Sequence, residues 1–235
     1  MYKIETHLHT KHTSKCGRLT YDSLIHSYKE KGYDAIAVTD HYNAATIKYK
    51  SIDIQSPGSK VDYFLDGYYR MKEEGKKAGI VVYMGMELRF SQNENDYLLY
   101  GFDKELLANP KEIMDMGIVE FSKLAREKGA VIVQAHPFRK KCVPIDPIYL
   151  DGVEVLNANP RHNSLNDLAY EYGKRNNLAM TAGSDCHREG DEGLTGIQSS
   201  FLPKDTFEFA ELIRTRNYKI ITIEDNKLEN KQDRG

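Results

Sequence analysis

The sequence predicts a single α/β domain whose strands close into a barrel or near-barrel. Short apolar runs alternate with segments of helical period, which is typical of parallel βα units. The chain has 235 residues and a mass of 26.9 kDa, a length at which one α/β barrel is common. The number of alternating units favours a barrel over a short open sheet.

Nine apolar runs have the length of strands, and they cover residues 2–6, 34–39, 80–86, 97–102, 130–135, 153–156, 178–182, 196–201 and 218–223. Helical periodicity occupies residues 21–31, 62–78, 110–128, 164–176 and 206–214. Capping residues and terminal glycines, such as Thr20 and Gly32, support these helices. Residues 43–60 are polar and break the alternation, which predicts a surface excursion. We expect the domain to span residues 1–223 and the charged residues 224–235 to form a flexible tail.

Composition limits the possible partners. The formal net charge of −2 argues against nucleic-acid binding by bulk electrostatics, so an anionic substrate would need locally placed cations. The three cysteines, Cys16, Cys142 and Cys186, form no disulfide framework and favour a reducing cytoplasm. A signal peptide and a membrane-spanning run are both missing from the sequence pattern. We therefore expect a cytoplasmic protein without membrane association, and the oligomeric state stays open.

Polar residues of metal-ligand type follow five of the predicted strands. They are His7 with His9, Asp40-His41, Glu87, His136-Pro137, and Asp185 with His187. Parallel strands present their carboxyl ends at one end of a barrel, so these side chains should meet there. Residues two apart on a strand share a face, and mixed imidazole and carboxylate ligands suit first-row transition metals. Each couplet alone is a weak signal, but five together predict a multinuclear metal site.

Some of these residues have alternative interpretations. Glu87 could bridge two ions through its two oxygens, or it could be a surface residue paired with Arg89. Asp40 and His41 are adjacent and should face opposite ways, so one would bind metal while the other contacts a neighbouring ligand or the substrate. Asp40 could instead cap the following helix.

The five motifs together resemble the PHP (polymerase and histidinol phosphatase) superfamily. They are His-Leu-His-Thr at residues 7–10, Thr-Asp-His at 39–41, Gly-Met-Glu at 85–87, Gln-Ala-His-Pro at 134–137 and Gly-Ser-Asp-Cys-His at 183–187. The resemblance runs from His7 to His187, as in a stand-alone PHP domain. It implies a distorted (β/α)7, TIM-like barrel with two or three divalent transition metals, zinc, iron or manganese, that hydrolyses phosphate esters.

The resemblance also distributes the ligands among three metals. The first would take His7, His9, Glu87 and Asp185. The second would share Glu87 and take His136. The third would take His41, His187 and a residue from the loop after His9.

This sequence departs from the family pattern in two places. The loop ligand would be Cys16 or His12; Cys16 aligns better, and a thiolate would favour zinc or iron. Relatives often carry a histidine between Glu87 and His136, where this chain has Asp96 and Tyr97. Asp96 is the candidate substitute, and the second metal would otherwise have fewer ligands.

Further polar residues near the strand ends are candidates for contact with a substrate phosphate. Arg18, Arg139 and Arg161 would balance its charge, although each could equally be a solvated surface residue. Asp40 and His162 are the predicted catalytic residues, with His162 as a hydrogen-bond donor to the phosphate or as a general acid. Glu154 would hold a substrate hydroxyl or orient a histidine ligand.

The expected function is a metal-dependent phosphoesterase in which activated water hydrolyses a small phosphomonoester or nucleotide. Histidinol phosphatase is one specific possibility. An amidohydrolase-like C–N hydrolase is a second, but a neutral amide would not require the arginines. A non-catalytic metal-binding module is a third, but degenerate modules tend to lose ligands.

Overall fold

The computed structural model describes residues 1–50, 57–222 and 224–225. Its strands are β1 (Tyr2–Leu8), β2 (Ala35–Val38), β3 (His41–Tyr42), β4 (Val81–Arg89), β5 (Asp96–Tyr100), β6 (Val131–Gln134), β7 (Gly152–Asn157), β8 (Ala179–Gly183), β9 (Gly196–Ser199) and β10 (Lys219–Ile221). Its α-helices are α1 (Tyr21–Glu30), α2 (Ala44–Lys50), α3 (Pro57–Ala78), α4 (Pro110–Met116), α5 (Ile118–Glu127), α6 (Asn166–Arg175) and α7 (Thr206–Thr215).

The strands form a nearly closed barrel. The hydrogen-bonded order is β10, β9, β1, β2, β4, β5, β6, β7, β8, and β3 pairs beside β4. A parallel bridge from Leu8 to Cys186, just after β8, joins the two sides of the barrel. Within the barrel β5 runs antiparallel to both β4 and β6. The α/β barrel prediction is therefore confirmed, but an exact count of seven βα units is not.

Strand alternation separates an inner from an outer apolar layer. In β2, Ala35 and Ala37 pack inside the barrel, whereas Ile36 and Val38 pack outward. The outer layer contacts α1, α3, α5 and α6, because each of these helices buries one apolar face. The small inner residues leave room for side chains that enter from both ends of the barrel.

One end of the barrel is closed by α7. Phe209 of this helix lies among the inner residues at the start of the parallel strands. Its ring stacks on Tyr83 at 4.7 Å and meets the edge of Tyr100 at 4.9 Å. The other end, where the parallel strands finish, is left for polar side chains.

Several elements differ from the sequence prediction. The predicted excursion at residues 43–60 contains α2 and the start of α3 at Pro57, while residues 51–56 lie outside the described part. The predicted helix 110–128 divides at Gly117, whose φ of 78° cannot continue a helix. The last two predicted strands, β9 and β10, extend the sheet beyond β1.

Two further predictions concern the end of the chain and membranes. Most of the predicted tail lies outside the described residues, so the boundary at residue 223 stays a prediction. Across the ranges described, no helix combines the length and apolar character needed to cross a membrane.

Candidate metal centre

Glu87 lies at the centre of a cluster of histidines at the open end of the barrel. Alternation along β4 turns its carboxylate inward. Oε1 is 3.1 Å from Nε2 of His136 and 3.4 Å from Nε2 of His7. Oε2 is 2.6 Å from Nδ1 of His41 and 3.4 Å from Nε2 of His9. One carboxylate therefore faces four histidines, from three different strand ends, with both of its oxygens.

Asp185 completes the cluster from the segment after β8. Its Oδ1 lies 3.3 Å from Nε2 of His9, 3.5 Å from Nε2 of His7 and 3.3 Å from Nδ1 of His187. Asp185 has a φ of 48° and His136 a φ of 30°, a region that non-glycine residues rarely adopt. Such backbone strain concentrates at functional sites, and here it directs both side chains towards Glu87 or its neighbours.

The cluster has the donor set of a metal site. Nδ1 of His41 and Oε2 of Glu87 are buried and close, yet they form no aligned hydrogen bond. Buried lone pairs that converge in this way would suit a bound cation. Ligand-type atoms lie within 4.8 Å of one another in four groups, which are His7, Glu87 and His136; His7, His9 and Asp185; His9, His41 and His187; and His41, Glu87 and Asp96. Imidazole and carboxylate together fit zinc, iron or manganese.

The buried carboxylates of the cluster also favour the binding of cations. Burial would raise the pKa of Glu87, but His41 and His7 hold it well below its usual value. Burial would likewise raise the pKa of Asp185, which His7 and other cationic groups instead keep well below normal. Both carboxylates are therefore ionised although they are almost fully buried. Buried charges of this kind require compensation by protons or metal ions.

Glu154 holds two of the ligands in place. Its Oε1 is 2.9 Å from Nδ1 of His7, which leaves Nε2 of that ring facing Glu87. Its Oε2 accepts hydrogen bonds from the backbone N–H of His136 and from Nδ2 of Asn157. Both carboxylate oxygens are used by protein groups. This placement favours the orientation of a histidine ligand over the predicted contact with substrate.

Asp40 holds the loop that follows His9. Its oxygens accept hydrogen bonds from the N–H and hydroxyl of Thr10, both at 2.7 Å, and from Ser14 Oγ at 2.6 Å. Ser14 Oγ in turn accepts from the N–H of His41 and lies 3.3 Å from Nδ1 of His9. These contacts tie Asp40 to the loop that follows His9, and its predicted catalytic role stays a prediction.

Two of the three predicted arginines already have carboxylate partners. Arg139 Nη2 donates to Asp185 Oδ2 and to Asn157 Oδ1, both at 2.7 Å. It therefore occupies the Asp185 oxygen that faces away from the histidines. Arg161 forms a two-pronged ion pair with Asp191, with N–O distances of 2.7 and 2.5 Å. A substrate anion would meet arginines that carboxylates have already fixed in position.

Arg18 and His162 have exposed side chains. The backbone N–H of Arg18 donates to the carbonyl oxygen of His187 at 2.8 Å, which ties its loop to the site. Burial and the positive charge of Arg139 lower the pKa of His162, so its imidazole is mostly neutral at pH 7. Their substrate and catalytic roles stay predictions.

The structure distinguishes Cys16 from His12 at the loop after His9. Burial alone would raise the pKa of the Cys16 thiol, but hydrogen bonds with His187 and His41 lower it to about 6. The ring of His12 instead lies tilted against the ring of Tyr21, with 4.8 Å between their centroids. Of the two candidate ligands, Cys16 therefore contacts histidines of the cluster.

Asp96 and Tyr97, which stand where relatives often carry a histidine, face opposite ways. Asp96 faces inward, and its Oδ2 lies 3.9 Å from Nε2 of His136. Arg89 donates hydrogen bonds to both carboxylate oxygens of Asp96. Tyr97 faces the outer layer, where its ring lies 5.4 Å from Phe90. The inward residue of the pair is the one with a ligand-type side chain.

The sequence patterns did not identify several supporting residues. At Gly183 a Cβ atom would come within 2.4 Å of the His7 Cβ, so only glycine permits this approach of β8 to β1. Ser14 lies in an irregular loop that carries no spacing signal. Glu5 is an acidic residue inside a strand that is buried from Ile4 to Leu8, and its position there could have marked it as unusual.

A barrel that buries histidines and carboxylates where its parallel strands end is the architecture of a metal-dependent hydrolase. Residues 5–187 match the model of the PHP domain. The chain therefore belongs to the PHP family.

The chain is also similar to individual proteins of other organisms. An uncharacterized protein of Methanocaldococcus jannaschii is 26% identical over 180 residues, which cover 71% of this chain and 88% of the relative. A two-domain protein of Bacteroides vulgatus, described as containing a predicted PHP-like metal-dependent phosphoesterase, matches with a TM-score of 0.69 at 16% identity. The match covers 94% of this chain and 64% of that protein.

A third relative is described by a different activity. An amidohydrolase of Chromobacterium violaceum, solved with bound sulfate and no metal, matches with a TM-score of 0.55 at 15% identity. That match covers 94% of this chain and 98% of the amidohydrolase. At these identities the two solved structures share the fold with this chain and do not fix its substrate.

Proposed function

We propose that the chain is a metal-dependent phosphoesterase that hydrolyses a small phosphomonoester or nucleotide. The observation that carries the proposal is the Glu87 carboxylate, which faces His7 and His136 with one oxygen and His9 and His41 with the other. A carboxylate so placed suits two neighbouring ions. Membership of the PHP family supports the same conclusion.

The proposed ligands divide as the family pattern suggests. They are His7, His9, Glu87 and Asp185 for the first ion, Glu87 and His136 with Asp96 nearby for the second, and His41, His187 and Cys16 for a third. When bound, such ions supply Lewis acidity towards a phosphoryl oxygen and a water nucleophile at neutral pH.

The remaining site residues orient these ligands and the substrate. Glu154 holds Nδ1 of His7, and Arg139 holds Oδ2 of Asp185. Arg18 and Arg161 lie near the site and would balance the charge of the phosphate in the transition state. The neutral imidazole of His162 would donate its N–H to a phosphate oxygen, and an imidazolium formed by proton uptake from solvent would give that proton to the leaving oxygen.

Hydrolysis of a C–N bond is the second candidate. The similarity to an amidohydrolase of the same fold favours it. The arginines favour the phosphoesterase, because a neutral amide has no charge for them to balance. The cysteine content supports a cytoplasmic location as part of the same proposal.

A substrate panel with a ligand variant tests the proposal. Purified chain loaded with Mn²⁺, Zn²⁺ or Fe²⁺ is assayed on phosphomonoesters, including histidinol phosphate and nucleotides, and on amides. We expect the chain to release phosphate and to bind two or three ions. Asp185→Asn should lose both phosphate release and metal binding. Asp167→Asn, an exposed carboxylate on α6, is the matched control.

Other results would point elsewhere. Amide hydrolysis without phosphate release would establish the second candidate. Bound metal without hydrolysis of any substrate would indicate a non-catalytic module. An Asp185→Asn variant that keeps full activity would contradict the assignment of the site.

A further inference from the structure

The strand that carries His7 and His9 breaks its own alternation just before them. Ile4 packs inside the barrel and Leu8 packs outside, although residues four apart on a regular strand share a face. The register with β2 shifts between Glu5 and Leu8. This irregularity turns His7 into the barrel, where His9 also points. The metal centre therefore depends on a local bulge in β1.

A bulge leaves backbone amides that need other partners. Along this stretch β1 changes its neighbour, from β9 at Ile4 to the segment after β8 at Leu8. Between these positions the N–H groups of Thr6 and His7 both donate to Oε1 of Glu5, each at 2.9 Å. The side chain of Glu5 thus accepts hydrogen bonds from two buried amides in the irregular part of the strand.

The same carboxylate reaches the segment that carries Asp185. Its Oε1 accepts a third hydrogen bond, from the N–H of Ser184 at 3.0 Å. Oε2 accepts from the Tyr28 hydroxyl of α1 at 2.7 Å. Glu5, Ser184 and Tyr28 are all completely buried. One oxygen therefore joins the backbones of two proposed ligand segments that are far apart in sequence.

We propose that Glu5 is a positioning residue for the metal centre. It lies on the outer side of β1, towards α1, and touches neither the ions nor a substrate. Its Oε1 sets the distance and direction between the backbones at His7 and Asp185, and so the ligand geometry of the first ion. The inference rests on the proposed metal-dependent function.

Four variants test this role in the full-length chain. Glu5→Leu removes the acceptor, and Glu5→Gln keeps one oxygen for the three amides. Tyr28→Phe removes only the hydroxyl on Oε2 and leaves Oε1 with its partners. Asp34→Leu is the matched control, because Asp34 accepts from the N–H of Lys3 at the opposite end of β1. Metal affinity is measured by competition with a chelator, ligand geometry by the absorption spectrum of bound Co²⁺, and stability by thermal unfolding.

We expect Glu5→Leu to weaken the tightest-bound ion by about 10–100-fold, the range for residues that orient ligands, and to shift the Co²⁺ bands. Glu5→Gln should weaken it about fivefold, because a neutral oxygen accepts more weakly than a carboxylate. Tyr28→Phe and Asp34→Leu should lower the unfolding temperature without changing affinity or spectrum.

Two results would overturn the inference separately from the proposed function. If Glu5→Leu kept the affinity and the spectrum, Glu5 would be merely structural. Glu5→Leu could fail to fold, and the comparison would then be between Tyr28→Phe and Glu5→Gln. If these two variants weakened metal binding equally, metal affinity would follow general stability, and Glu5 would have no positioning role. An unmodified chain that bound no ion would overturn the proposed function itself, and the inference with it.

Discussion

The two ends of the barrel are equally buried but chemically opposite. At the closed end Phe209 of α7 packs against the rings of Tyr83 and Tyr100. At the open end, residues such as Glu87 and His7 are no more than 1% exposed, yet they carry charge. Apolar burial stabilises the fold, whereas buried charge and left-handed backbone cost free energy. Burial alone therefore does not reveal what a residue contributes, and the two ends should respond differently to substitution.

The largest expected effect is at the closed end. Phe209→Ala should lower the free energy of unfolding by about 3–5 kcal/mol, because it leaves a cavity between rings that cannot collapse. Phe207→Ala on the same helix is the control, since that ring is 49% exposed. Urea unfolding of the metal-free chain measures the difference. The ion count of the folded variant should be unchanged, and a loss of metal in step with stability would contradict the separation of the two ends.

The next effect is expected at the open end. Glu154→Gln should weaken metal binding by about 10–100-fold, because the partner of His7 Nδ1 loses its charge. The free energy of unfolding without metal should change less than in Phe209→Ala. Glu171→Gln, an exposed residue on α6, is the control, and chelator competition gives the affinities. Equal metal affinity in both glutamine variants would show that the open end does not depend on this hydrogen bond.

The fold could largely be predicted from the sequence because strand and helix periods differ and glycines mark the ends. The direction of β5 was not predicted, although the segment between the two predicted strands is too short for the crossover that parallel neighbours require. The break at Gly117 was also missed, since helical periodicity continues on both sides of it.

The candidate site could be predicted as far as strand geometry determines it. The spacing of His7 and His9 placed both on one face. The partners of Asp40 are Thr10 and Ser14, which belong to an irregular loop and follow from no periodic pattern. Glu5 could not be assigned either, because its three amides meet only where β1 and the end of β8 come together in three dimensions.

The smallest expected effect is the pH dependence of the metal-free chain. Burial alone would lower the pKa values of His7 and His41, but neighbouring carboxylates raise both well above 6.5, and the pKa of His136 rises to about 9. Between pH 6.5 and 9 the folded chain therefore holds more protons than the unfolded chain, so its stability falls as pH rises. Cys16, whose pKa is lowered to about 6, opposes this trend, and near pH 6.5 so does His9, because burial and His41 lower its pKa.

Metal opposes that trend, because it binds neutral imidazoles and displaces their protons. Without metal we expect a loss on the order of 1 kcal/mol per pH unit, seen as a falling unfolding temperature from pH 6.5 to 8.5 in the presence of a chelator. With Zn²⁺ the temperature should fall less, so the gap between the two curves widens with pH. Asp185→Asn should follow the metal-free trend in both buffers if the open end is a metal site. A metal-free unfolding temperature that rises with pH would mean that protons are not what neutralises the buried carboxylates, and the contrast between the two ends would need another cause.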